Sequence, residues 1–162
     1  MGLSKDWSEW WRRFLDLSQD NSRRAVDVLR QRYVEEMQQT GRFKQHAEKI
    51  HYPQFRGKLL QMASEKNEHA ERIAQKLLAL GAKLPSVPEL RSTDENSWQQ
   101  LMMALEEENR SADSLVEQLW DIASDHPDVA QFLLQISQEQ KKHSTDIRHM
   151  LMRSDPFAFS LA

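Results

Sequence analysis

Apolar positions recur at spacings of three and four residues through most of the chain, the pattern of one buried stripe on a helix. Five helical stretches follow from it: about residues 4–18, 21–50, 53–80, 97–124 and 127–153. In the second, the stripe runs Leu29, Tyr33, Glu36, Thr40, Phe43, Ala47, Ile50. In the third it runs Leu59, Met62, Lys66, His69, Ile73. The fourth reads Trp98, Leu101, Leu105, Glu108, Ala112, Leu115, Leu119, Ile122, and the fifth Leu133, Ile136, Gln140, His143, Ile147, Met150. Pro53 and Pro127 suit a first helical turn, where a missing N–H costs nothing. Gly81, followed by Pro85 and Pro88, marks a helix stop, and residues 81–96 form the one long connection. Nothing alternates with the period of two that a strand requires.

The chain also repeats itself. Laid on one another without a gap, residues 51 and 125 start two matching segments. Pro53 then meets Pro127, Leu59-Leu60-Gln61 meets Leu133-Leu134-Gln135, Glu65 meets Glu139, His69 meets His143 and Ile73 meets Ile147. Two helical hairpins sharing one pattern predict a pseudo-twofold, antiparallel four-helix bundle, up-down-down-up, with residues 81–96 as the crossover.

Each stripe is interrupted near its middle by polar residues. Helix by helix these are Glu36, then Lys66 and His69, then Glu108, then Gln140 and His143. Buried polar groups are costly unless paired, so six at matching heights predict a single polar layer. Glu65 and Glu139 stand four residues before each His, one position beside the stripe.

Composition narrows the function. The 162 residues carry a net charge of −3 and no basic cluster, so nothing favours nucleic acid. Cysteine is absent, which excludes disulfides, thiolate metal sites and Cys nucleophiles. No apolar run approaches the ~18 residues of a membrane span, and no signal-peptide core is present, so a cytoplasmic protein is expected. Nucleophile elbows, glycine-rich phosphate loops and His-Glu-x-x-His are all missing. His46, His51, His126 and His149 are expected near helix ends or on solvated faces.

The stretch HAEKIHYPQFRGKLLQMASEKNEHAERIAQKLLALGAKLP, with the polar layer, resembles the ferritin-like superfamily in its rubrerythrin-type branch. The resemblance covers about residues 21–153. It implies a ferritin-like fold and, in its full form, a di-iron or di-manganese centre with oxygen, peroxide or iron chemistry. That centre takes one Glu from each of two helices and Glu-x-x-His from each of the other two. Carried over residue by residue, the ligand positions are Glu36, His69, Glu108 and His143; Glu107 competes with Glu108. The motif is broken twice, because Lys66 and Gln140 stand where the family has bridging carboxylates. Two carboxylates and an ammonium offset two divalent cations poorly. Lys66 is therefore expected between Glu36 and Glu108 in place of metal, and Gln140 between the imidazoles. Glu65 and Glu139 lie about 100° around the helix from positions 66 and 140, too far to replace them without distortion.

Two functions remain open: a structural or interaction protein with a degenerate, metal-free centre and no enzyme activity, or a reduced iron or manganese site with activity like that of its relatives. Trp7, Trp10 and Trp11 line one face of the first stretch and predict packing on the bundle or a dimer contact. The expected organisation is a Trp-rich helix at 1–20, the bundle at 21–155 and a tail at 156–162. The expected partner is a second copy or another protein.

Overall fold

The computed structural model describes residues 3–157, although within 3–21 it describes side chains only for Glu9 and Arg13. The described residues form four helices: α1 Leu3–Lys49, α2 Pro53–Ala79, α3 Ser97–Ile122 and α4 Pro127–Met152. The two N-terminal stretches expected from sequence are one continuous helix. Ser18, Asp20 and Asn21 are modest helix formers rather than breakers, and neither Gly nor Pro occurs between Gly2 and Gly41. The expected packing of Trp7, Trp10 and Trp11 lies outside the described residues.

The helix ends follow local chemistry. Pro53 and Pro127 occupy the first turns of α2 and α4. Asn96 caps α3 in a reciprocal box: its side chain accepts from the Gln99 N–H at 2.8 Å, and the Gln99 side chain accepts from the Asn96 N–H at 3.0 Å. α2 ends in a Schellman motif, with Ala82 N–H on the Leu77 carbonyl and Gly81 N–H on the Leu78 carbonyl. Gly81 has φ 73°, which only glycine adopts without strain.

Contacts between helices fix the topology. Arg32 of α1 meets Ser111 and Gln118 of α3, whereas Arg42 meets Glu107, so α1 and α3 run antiparallel. Lys58 meets Asp146 and Lys76 meets Asp128, so α2 and α4 do too. With α1 and α2 forming one hairpin and α3 and α4 the other, the order is up-down-down-up. The connection from Leu80 to Asn96 must then return along the whole bundle. A helix of 26 residues is roughly 39 Å long, and an extended segment of this length spans more than that. The connection is held to α1 by Arg30 on the Lys83 carbonyl and by Lys49 on Ser92. Between these points Leu90 lies against Gly41; a Cβ at Gly41 would sit 2.2 Å from its Cδ1.

The core is divided. One apolar cluster gathers Leu29, Ile73, Leu77, Leu115, Ile122 and Leu133. The other gathers Phe43, Leu59, Met62, Leu101, Ile147 and Met150. Along every helix the buried residues between the two clusters are polar, apart from Ala70 in α2. The expected stripes match burial with one phase error in α3, where Ala112 is exposed and Ser111 is buried. Ser111 accepts a hydrogen bond from the buried Arg32, a partner that hydropathy alone did not expose.

Candidate functional site: the polar layer

Glu36, Lys66, His69, Glu108 and His143 are all buried, and Gln140 is half-buried. Lys66, with 0% exposure, is the centrepiece. Its Nζ lies 2.7 Å from Glu108 Oε1 and 3.8 Å from Glu36 Oε1. The shorter contact is an ion pair outside hydrogen-bond geometry. Glu108 is the glutamate that turns inward. Glu107 points away and pairs with Arg42. Burial pushes the Glu36 carboxyl upward, but the charge of Lys66, then His69 and the Gln140 amide, outweigh it and leave the group below its ordinary range.

Gln140 does not bridge the imidazoles, as the sequence suggested. Its Nε2 donates to Glu36 Oε1. The histidines are held by the flanking glutamates, and across the pseudo-twofold axis. His143 Nε2 is 2.6 Å from Glu65 Oε2, and His69 Nε2 is 3.1 Å from Glu139 Oε2. Each Glu-x-x-x-His therefore gives its Glu to the other half's His. Lys142 supports Glu65 at 2.8 Å and Arg72 supports Glu139 at 2.8 Å, each from the opposite half but from a different position in it. Burial raises the Glu65 carboxyl, yet hydrogen bonds from Lys142, His143 and Gln61 bring it down to about 2. Burial pushes the His143 imidazole below its ordinary value, with the bond to Glu65 acting against it. His69 Nδ1 faces Glu36 Oε2 at 3.4 Å.

Tested as a seat for two metals, this layer does not fit. Lys66 and Gln140 engage Glu108 Oε1 and Glu36 Oε1, and both imidazole Nε2 atoms are engaged by Glu65 and Glu139, while His69 Nδ1, His143 Nδ1 and Glu36 Oε2 are buried without a hydrogen-bond partner. What the layer lacks for two dications is negative charge, because an ammonium already stands against its two central carboxylates. Among the described residues, no three His, Asp or Glu side chains come together in a metal-holding arrangement.

Sequence reasoning missed a second polar line. Arg32, Gln39 and His46 are all buried on the α3-facing side of α1. They follow Ala25 at intervals of seven residues, a heptad signal that was readable. Arg32 donates to the Ser111 carbonyl at 2.9 Å and hydroxyl at 2.7 Å, and to Gln118 at 2.9 Å. His46 is not on a solvated face as expected. It is 3% exposed and hydrogen-bonded to the Ser97 backbone, and burial lowers its pKa to about 4.

A family model described as Ferritin-like domain matches residues 25–154. The chain belongs to the ferritin-like family. Solved structures share the bundle. Dps92 from Deinococcus radiodurans is 15% identical, with 85% of this chain and 92% of that one covered and a TM-score of 0.74. Ferritin-like, diiron-carboxylate proteins from Bacillus anthracis str. Ames are also 15% identical, with 81% of this chain and 97% of that one covered and a TM-score of 0.69. No curated protein matches by sequence. At these identities the likeness to the two structures is one of fold. In this ferritin-like bundle Lys66 and Gln140 stand three residues before His69 and His143.

Proposed function

We propose that this ferritin-like protein acts as a structural or interaction protein whose bundle centre works without metal. The observation that carries the reading is the buried ammonium of Lys66 between Glu36 and Glu108. A cation fixed by the covalent chain supplies the positive charge that a metal would otherwise bring, and an added dication would meet it at short range. An interaction role is supported by the outer face of α3, where Val116 and Trp120, one turn apart, are 57% and 81% exposed. The partner is a second copy of the chain or another protein, in the cytoplasm. No helix among the described residues is long and apolar enough to cross a membrane.

Elemental analysis of protein purified without chelators tests the reading. The expected result is iron and manganese well below one per chain, with no stabilisation by either ion. Stoichiometric metal sinks it. The double variant Lys66→Glu/Gln140→Glu adds the two missing carboxylates. It is expected to be less stable than the parent without metal and to gain stability on adding ferrous iron or manganese.

A second reading retains one iron or manganese on Glu36, His69, Glu108 and His143, with activity like that of the diiron-carboxylate relatives. It is favoured by the presence of these four side chains in one layer, and it requires Lys66 to swing aside. Stoichiometric metal in the unaltered protein selects it.

A further inference from the structure

α1 is longer than the bundle requires. It runs for 47 residues, whereas α2, α3 and α4 have 27, 26 and 26. Ala25 shares a core cluster with Leu77 near the end of α2, Ile122 at the end of α3 and Val129 near the start of α4, so the bundle ends close to its level. Residues 3–21 precede that level in the same uninterrupted helix, roughly 30 Å of it at ~1.5 Å per residue. A continuous helix does not fold back on its own bundle, so this segment points past the end. In sequence, Leu3, Trp7, Trp10, Phe14 and Leu17 recur along it at alternating spacings of four and three residues. That is the narrow seam by which one helix pairs with another.

We propose that the α1 extension is the contact with a second copy of the chain, two extensions pairing antiparallel so that the two bundles lie at opposite ends. The inference rests on the interaction role proposed above and names its partner. The area suffices: Trp7, Trp10, Trp11 and Phe14 of both copies, at roughly 150 Å² or more each, reach the ~1,000 Å² that a specific interface needs. The charges suit a like helix. Residues 3–21 hold three basic and four acidic side chains, so a second copy meets no net field that repels it. An antiparallel offset that sets Trp7 of each copy against Trp10 of the other also brings Asp6 alongside Arg13, two positions of opposite sign one heptad apart on the flank of the seam. A lipid surface calls for a polar face rich in Lys and Arg, which this mixed one does not supply.

The test sizes the full chain by light scattering after gel filtration, over a range of concentrations. A dimer is expected, with a dissociation constant of about 10 μM or tighter. Trp10→Ser/Phe14→Ser is expected to give a monomer that keeps the parent's cooperative thermal transition, because both positions lie outside the bundle. Should that variant not fold, charge exchange replaces it. Arg13→Asp sets like charges side by side and is expected to weaken the dimer about tenfold, and adding Asp6→Arg is expected to restore it. The inference is overturned if the parent is a monomer throughout the range, if the dimer survives both the seam variant and Arg13→Asp, or if the parent sediments with phosphatidylglycerol vesicles. Trp120→Ser is expected to leave the dimer intact. Loss of the dimer in that variant alone overturns the inference but upholds the interaction role of the α3 face.

Discussion

Replacing Lys66 by Met would remove the ammonium and keep most of the packing. Lys66 is fully buried, and its partners Glu36 and Glu108 have side chains only 2% and 3% exposed. At an effective dielectric of about 20, unit charges at these two separations attract by roughly 4 and 6 kcal/mol. Freeing Lys66 from its own desolvation, several kcal/mol per buried ion, offsets much of that sum. The remainder is the cost of leaving two carboxylates buried without a cation, about 3–5 kcal/mol. Urea unfolding followed by circular dichroism at pH 7 should show a loss of that size. The deficit should also shrink with acid. In the parent, Lys66 is the strongest of the groups that hold Glu36 below its usual range against burial. Without Lys66, burial dominates and the folded-state pKa rises above the unfolded one. A group raised in this way stabilises the fold below its unfolded pKa and withdraws that stability as pH rises through its folded pKa. The variant should therefore recover relative to the parent between pH 7 and pH 5. Adding Glu108→Gln should restore part of the loss at pH 7. A deficit under about 1 kcal/mol, or one that is the same at both pH values, would refute the argument that the layer is held by charge.

Three further outcomes are expected. The His46 pKa is depressed from 6.5 to about 4, so its contribution is fully present above pH 6.5 and is lost as pH falls towards 4; stability should decline by about 3 kcal/mol over that window, and His46→Gln should flatten the decline in urea midpoints. A double-mutant cycle should give a coupling of about 1 kcal/mol or more between Glu65 and His143 and almost none between Glu65 and His69, whereas helical pairing at i, i+4 would give the opposite. Gly41→Ala would meet only the tip of the half-buried Leu90 side chain, which can turn away, and alanine favours helix by about 1 kcal/mol; thermal or urea melts should show stability unchanged or raised by up to about 1 kcal/mol, and a clear loss would show that Leu90 is held rigidly against α1.

What could be read from the sequence was whatever depends on periodicity alone. The stripes through Leu59, Met62, Ile73, Leu133 and Ile147, and the polar interruption at one level, follow from the 3.6-residue turn and need no knowledge of partners. The destination of a long side chain does need it. Glu65 and His69 are four residues apart, so helix geometry suggests a local pair, but each reaches across to α4. Gln140 reaches Glu36 on the diagonal helix, a partner that no spacing along α4 announces. Ser111 faces inward at the expense of Ala112 because buried Arg32 supplies the donors. Hydropathy scores Ser below Ala and so selects the wrong neighbour.

The exchange of partners between the two halves also bears on how such a chain could arise. A lone hairpin of the second kind would bury a His and leave a Glu beside it, each without its counterpart. Two copies facing one another satisfy both at once, as Glu65 with His143 and Glu139 with His69 do here. These contacts are the ones that would join two separate hairpin chains of like sequence as a homodimer. Fusion through the crossover would then keep every bond in place, and gene duplication need invent no new interface. The two halves are not identical: one carries the charge of Lys66, and the other carries the Gln140 amide that steadies Glu36.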